Sequence, residues 1–517
     1  MPTVPDTQLF NSVSDLSMDS TMLDNTILFS STSDLVKHLN AGNFNSEQLV
    51  TAFLAQIERH NPQHAAIVTI NAQQALIRAK QADLARANGE SWGRMHGVPI
   101  TIKDNYLTAG IRTTAAYAPL KNQIPDQDAT IVQLLKAEGA IILGKTNLSV
   151  LAMDMQATNP IFGSTNNPWD VTRTSGGSSG GCAAALATGM TPLSFGNDLA
   201  GSIRLPAAYC GVAGFKPSFG VVSLQGLQTD PAETVNGLKS LAVAGPLARS
   251  VADLELAFRI IAQPSPQDRR LSACLEAGIP TCPTQLRLAW TDEFGGVPVE
   301  AAIKRKIHAF VDQLTAAGVT MVKVCPPLNF DLAWKTWGSL VGMQGGYQRS
   351  NFSKWLGLPF TKGVLKHVPM HQNIVKPTSV EKYMIALNTQ DEMINTMENF
   401  LDGYDGLICP SSAVTAFPHH APSKAYGNFN IYNQPLKVDQ TDLHYYMATQ
   451  AYTTPFSLTE SPVLALPLGL SEEGMPVGVQ VVGKRHHDFD VLALGKMLEQ
   501  YTEKVQFPLR RLPRQVF

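Results

Sequence analysis

Residues 176–204 read G-G-S-S-G-G-C-A-A-A-L-A-T-G-M-T-P-L-S-F-G-N-D-L-A-G-S-I-R, which sets Ser178 and Ser202 in glycine-rich surroundings 24 positions apart. No histidine falls in this stretch. Upstream, V-P-I-T-I-K-D-N at 98–105 ends an apolar run in one lysine, Lys103. A hydroxyl nucleophile needs a base, so an active site built from these residues must draw its base from the lysine.

The flanking segments alternate between two periodicities. Gly97–Ile102 is short and β-branched, bounded by Gly97 and Asp104, and predicts a buried strand; G-A-I-I-L-G-K-T-N at 139–147 predicts another. Helical patterns run over Ser31–Leu39, Asn45–His60, Ala72–Ala87 and Ala129–Glu138, with Gly42 as a stop and Asn45 or Ser46 as a cap. S-P-V-L-A-L-P-L-G-L and M-P-V-G-V-Q-V-V-G repeat the strand character late in the chain, before a closing helix near Phe489–Thr502. This alternation predicts an α/β fold: a single large domain whose mixed, mostly parallel sheet is covered by helices on both faces.

Residues 1–29 are rich in Ser, Thr, Asp and Asn and predict a poorly ordered extension ahead of a domain over 30–517. Between 330 and 455 the pattern loosens into a variable region. Its aromatics (Trp334, Trp337, Tyr347, Phe352, Trp355) either wall an apolar substrate site or pack as ordinary core.

With 44% hydrophobic and 16% charged residues, the chain is composed as a well-buried globular protein and not as a disordered or fibrous one. A net charge of −2, without a basic stripe interleaved with aromatics, argues against nucleic acid as a partner. The start M-P-T-V-P-D-T-Q-L-F lacks a basic, then apolar, secretory signal, and no run of 18 apolar residues occurs, so a cytoplasmic protein without a membrane span is expected. Six scattered cysteines predict reduced structural thiols. His367 and His371 have an i, i+4 spacing interrupted by Pro369, and the pairs His419-His420 and His486-His487 are adjacent, so neither a metal site nor a cofactor is expected.

Lys103 would emerge at the carboxyl end of its strand, where open α/β sheets place ligands; burial there lowers a lysine's pKa until the neutral amine can act as a base. The alternative is a lysine that snorkels to solvent. The hexad at 176–181 contains G-x-S-x-G, but a nucleophile elbow needs an apolar strand before it and the lead-in is D-V-T-R-T-S. It also has the spacing of a phosphate loop, yet Cys182 and Ala183 stand where Lys and Ser/Thr are required. What is left is a glycine-rich turn entering an alanine-rich helix, its serine hydroxyls in a dry pocket or merely capping. Small residues ahead of Ser202 let successive backbone N–H groups point at one spot, as an oxyanion hole requires. Asp198 and Arg204 flank that turn at a separation suited to a supporting pair.

P-I-T-I-K-D-N, G-G-S-S-G-G, D-x-x-G-S-I-R and F-K-P-S-F-G (215–220) together resemble the amidase signature family of serine hydrolases. G-K-T-N at 144–147, N-P-W-D at 167–170 and P-A-A-Y-C-G-V at 206–212 extend the likeness over about residues 30–505. The resemblance implies that Ser202 is the nucleophile, that Ser178 after a cis peptide is a proton bridge, and that Lys103 is the base. It further implies an oxyanion hole from the backbone of Leu199, Ala200, Gly201 and Ser202, with Ser179, Asp198 and Arg204 holding the geometry. The implied activity is hydrolysis of a small-molecule carboxylic amide to acid and amine or ammonia through an acyl-enzyme, without cofactor or metal, and the resemblance implies that the variable region at 330–455 selects the substrate. A monomer or homodimer is expected.

Two positions depart from the family pattern: Ala200-Gly201 replaces Gly-Gly, and Asn197 replaces a threonine. Met153 and Asp154 are candidate substrate-binding residues, with Asp154 either lining the acyl pocket to favour cationic or polar groups, or capping a turn or facing solvent. Three other readings stand beside the amidase: a glutamine-hydrolysing amidotransferase subunit of the same family, a non-catalytic scaffold or binding protein, and a Ser-His-Asp esterase using Ser178.

Overall fold

Among the described residues eleven strands form one sheet, and the sequence of the inner ones explains why they are there. The computed structural model describes residues 23, 25–228, 241–264, 268, 271–275, 278–280, 282–346, 368–374, 376–377, 379–426 and 429–508. The strands are β1 (Ile67–Ile70), β2 (Pro99–Lys103), β3 (Ile141–Thr146), β4 (Leu193–Asp198), β5 (Ala213–Lys216), β6 (Val243–Ala248), β7 (Arg287–Trp290), β8 (Thr320–Lys323), β9 (Gly406–Pro410), β10 (Val463–Leu470) and β11 (Pro476–Val482). Their spatial order is β1-β3-β2-β4-β6-β5-β10-β11-β9-β7-β8.

Every residue of β2, β3, β4, β5, β6, β9 and β11 is buried, as expected of strands covered on both sides. Successive residues of β10 point to opposite faces and show the two coverings. Leu464 meets the helix Asp488–Leu498, where a Cβ on Gly495 would sit 2.2 Å from its Cδ2. Ala465 packs instead with Ala183 and Ala207, from the helices Gly180–Ala187 and Arg204–Cys210.

The sheet is mixed, but it is less parallel than the alternation of strands and helices predicts. β2 pairs in parallel with β3 and β4, and β7 with β8 and β9, whereas the centre from β4 through β6, β5, β10 and β11 to β9 is antiparallel throughout. A short turn at Ser471–Met475 joins β10 to β11, and so tight a connection permits only antiparallel pairing.

The expected helices form close to their predicted bounds: Thr32–Asn40, Ser46–His64, Ala72–Ala87 and Thr130–Ala137. Asn45 caps the second through a reciprocal capping box with Gln48. Residues 1–22 and 24 of the expected extension lie outside the described residues. Asn25–Leu28 is a short helix with Leu28 and Phe29 buried, so the folded body begins ahead of residue 30. None of the six cysteines forms a disulfide among the described residues. Among the described residues, no helix is long and apolar enough to cross a membrane.

Candidate active site

Register brings the first two site segments together. Thr101 and Ile102 of β2 pair with Ser194 and Phe195 of β4 in parallel, so Lys103 and the Asp198 turn leave the sheet along the same edge. Small residues bring the third segment onto that edge. The helix Gly180–Ala187 is buried along its whole length, and a Cβ on Gly181 would lie 2.4 Å from the backbone nitrogen of Asn147. A glycine inside a helix costs about 1 kcal/mol relative to alanine, and here the close approach requires it. Ser178 and Ser179 stand just before that helix, and the Gly177–Ser178 peptide is cis.

Lys103 is fully buried and does not snorkel to solvent. Its Nζ lies 2.7 Å from Ser178 Oγ and 2.9 Å from Ser179 Oγ, in hydrogen-bond geometry with both. Burial lowers its pKa to about 7, with Cys182 and Asp198 pulling the other way. The Ser179 N–H donates to the Ser202 carbonyl at 3.1 Å, which ties the two serine loops together. Ser202 is 3% exposed, and its hydroxyl has no hydrogen-bond partner among the described residues.

Asp198 and Arg204 form a wholly buried bidentate pair, Nη2 to Oδ1 at 2.9 Å and Nε to Oδ2 at 3.0 Å. Burial by itself would raise the aspartate's pKa, but the Arg204 charge and its hydrogen bonds hold it well below the usual carboxylate range. The remaining guanidinium N–H groups reach the Thr453 carbonyl at 2.8 Å, Gln480 Oε1 at 2.7 Å and Ser457 Oγ at 2.8 Å.

The turn between Asp198 and Arg204 uses its backbone N–H groups unequally. Gly201 donates to Asp198 Oδ1 at 2.7 Å and Ile203 to Oδ2 at 3.0 Å. Gly201 therefore drops out of the expected set of oxyanion donors, because the carboxylate already occupies its N–H. Leu199, Ala200 and Ser202 keep N–H groups without an acceptor among the described residues. Gly201 is required for a different reason: its φ is +113°, and a Cβ would come within 2.6 Å of Thr453 Oγ1. Ala200 has no positive φ, so its methyl group is accommodated.

The amidase family model matches residues 48–492. The chain belongs to the amidase family. One subunit of the glutamyl-tRNA(Gln) amidotransferase of Acaryochloris marina is 32% identical over 484 residues, covering 89% of this chain and 95% of the relative. A solved structure described as that of an amidase superposes with a TM-score of 0.75 at 27% identity, covering 92% of this chain and 100% of the other. The solved structure of the corresponding glutamyl-tRNA(Gln) amidotransferase subunit from Thermotoga maritima gives 0.74 at 26% identity, with coverage of 95% and 99%.

In this amidase Asp154 neither faces solvent nor offers a free charge to a substrate cation. It is buried; Oδ1 accepts from the Met155 N–H at 2.7 Å and the Tyr445 hydroxyl at 2.9 Å, and Oδ2 accepts from Asn430 Nδ2 at 2.9 Å and from the Tyr432 hydroxyl. Burial raises its pKa. The carboxylate fixes the stacked rings of Tyr432 and Tyr445, whose centroids are 3.9 Å apart. A Cβ on Gly177 would meet the Asp154 carbonyl oxygen at 2.7 Å, so this cluster abuts the Ser178 loop from behind. Met153, half-buried, ends the short helix Val150–Ala152 beside it. Asp154→Asn is expected to lower kcat/KM alike for amino-bearing and neutral amides, with their ratio changing less than about twofold; a selective loss for the cationic substrate would return the charge to the pocket.

Several groups the amidase relies on left little trace in the sequence. Lys145 of G-K-T-N is buried and donates to Thr108 Oγ1 at 2.8 Å, Thr113 Oγ1 at 2.9 Å and the Tyr106 carbonyl, anchoring the loop that follows Lys103. Gln480 donates from Nε2 to the Pro410 and Tyr452 carbonyls at 2.8 Å each while accepting from Arg204. The available signal for both was a polar residue inside an apolar strand run, which must be satisfied when buried. His371 is buried with Nε2 3.1 Å from Gln450 Oε1; His367, Tyr347, Phe352 and Trp355 lie outside the described residues.

Proposed function

We propose that this enzyme hydrolyses a small-molecule carboxylic amide to its acid and an amine or ammonia, with Ser202 as nucleophile, Ser178 as proton bridge and Lys103 as base. The single observation that carries the reading is the buried Lys103 amine, hydrogen-bonded to Ser178 with its pKa lowered to about 7 and no histidine in the arrangement. The neutral amine takes the proton of Ser178 as Ser178 takes that of Ser202, and Ser202 Oγ adds to the carbonyl carbon. The negative oxygen that forms is met by the N–H groups of Ala200 and Ser202, with Leu199 beside them. The proton then returns through Ser178 to the nitrogen as the C–N bond breaks, and water, deprotonated by the same relay, releases the acid.

A second reading, a glutamine-hydrolysing component of a larger enzyme, is favoured by the name the curated relatives share, that of a glutamyl-tRNA(Gln) amidotransferase subunit. Two measurements on the purified chain separate the readings. Fluorophosphonate labelling with peptide mapping is expected to modify Ser202; a label on Ser178 would support the esterase reading instead. Turnover of a panel of simple amides by the chain alone is expected, whereas activity confined to glutamine, or dependent on added subunits, would favour the amidotransferase.

The acid limb of the rate profile follows from the lysine. Only neutral Lys103 accepts a proton, so kcat/KM is expected to fall about tenfold per pH unit below about 7 and to level off above it. A flat profile from pH 5 to 9 would remove Lys103 from the role of base.

A further inference from the structure

The oxyanion turn is held from its carbonyl side. A trans peptide unit directs its C=O and its N–H in opposite senses, so fixing the carbonyl fixes the donor. The Gly201–Ser202 unit is held because the Gly201 carbonyl accepts from the Leu205 N–H at 2.8 Å. The Ala200–Gly201 unit is pinned at both ends, by Thr453 Oγ1 donating to the Ala200 carbonyl at 2.6 Å and by Asp198. The Leu199–Ala200 unit carries the free N–H of Ala200, and its only hydrogen-bond partner among the described residues is the indole of Trp337, whose Nε1–H donates to the Leu199 carbonyl at 3.3 Å.

Trp337 lies on the helix Phe330–Gly346, inside the region least like the family motifs. It is 3% exposed and stacks on His371, with ring centroids 6.4 Å apart at 25°. One turn earlier Trp334 Nε1 donates to the Ala451 carbonyl at 3.0 Å, in the segment that supplies Thr453. Two indoles of one helix thus hold the two chain segments that frame the hole, a use of tryptophan beyond packing, since a buried indole N–H seeks an acceptor.

We infer that Trp337 is a positioning residue for amide hydrolysis, orienting the Ala200 N–H toward the oxygen that becomes negative when Ser202 attacks; the inference rests on the nucleophile proposed above. Removing a direct oxyanion donor costs about 100- to 1000-fold in kcat, and loosening one by losing its brace costs part of that.

The test compares wild type with Trp337→Phe, and with benzothienylalanine at 337, which keeps the shape of the ring but replaces its N–H by sulfur. Rates are expressed per active site titrated with a fluorophosphonate, so unfolded protein does not count. For both replacements kcat is expected to fall about 10- to 100-fold with KM within about twofold. Affinity for a trifluoromethyl ketone, which adds to the nucleophile to give an oxyanion, is expected to fall by the same factor as kcat. An unchanged kcat in protein labelled on Ser202, or a raised KM with kcat intact, overturns the positioning role. Absence of label on Ser202 in the wild type overturns the catalytic reading itself, and the Trp337 inference with it.

Discussion

Replacing Ser202 with alanine is expected to lower kcat for amide hydrolysis by about 10⁴- to 10⁶-fold, because the acyl-enzyme cannot form without its oxygen. Stability is expected to stay within about 0.5 kcal/mol of wild type, since the hydroxyl has no partner among the described residues and its removal leaves no buried donor or acceptor unpaired. That contrast makes the measurement decisive: single-turnover acylation followed by mass spectrometry, beside a thermal melt on the same sample. Ser178→Ala is expected to lose less, since the proton can pass through water while Ser202 and the oxyanion donors remain. Activity above about one per cent in the Ser202→Ala protein would place the nucleophile elsewhere.

The largest effect on stability is expected at Arg204. Its guanidinium is fully buried and each N–H has an acceptor: Asp198 twice, then Thr453, Gln480 and Ser457. Arg204→Met fills a similar volume but leaves the Asp198 carboxylate buried and uncompensated, a situation that costs about 3–5 kcal/mol. Arg204→Lys should rescue little, because a point charge cannot reproduce the planar two-pronged contact. Adding Asp198→Asn to Arg204→Met is expected to recover part of the loss by removing the orphaned charge, although the double variant stays inactive as the Gly201 turn loses its anchor. Urea unfolding midpoints for the two single variants and the double variant check this. A loss below about 1 kcal/mol for Arg204→Met would show that water or a neighbouring cation replaces the guanidinium.

How far the fold was legible varied with chemistry. β2, β3, β10 and β11 are short, mostly apolar runs, rich in β-branched residues in β2, β3 and β11 and in leucine in β10, and could be read directly. β4 could not: in L-S-F-G-N-D half the residues are polar, yet all are buried, because Ser194 meets Thr101 Oγ1 at 2.9 Å and Asn197 meets Asn105 at 3.2 Å across the sheet. Hydropathy carries no signal for polar groups that are satisfied by strands remote in sequence. The antiparallel centre was missed for a related reason, since strand direction depends on connections and not on the composition of any one strand.

At the site, local sequence was enough for the parts that are local. A lysine ending an apolar strand, glycines and alanines that let a helix lie on its neighbour, and a small-residue turn ahead of Ser202 are properties of short segments. Such segments carried the family, the candidate triad and the need for a buried lysine. Which N–H groups are left for the oxyanion, and what Asp154 does, emerged only once the chain was folded. Asp198 consumes the N–H of Gly201, Trp337 orients the Leu199 peptide, and Tyr432 and Tyr445 enclose the Asp154 carboxylate. Hydrogen-bond capacity is limited, and most of the groups that use it up come from segments more than a hundred positions away.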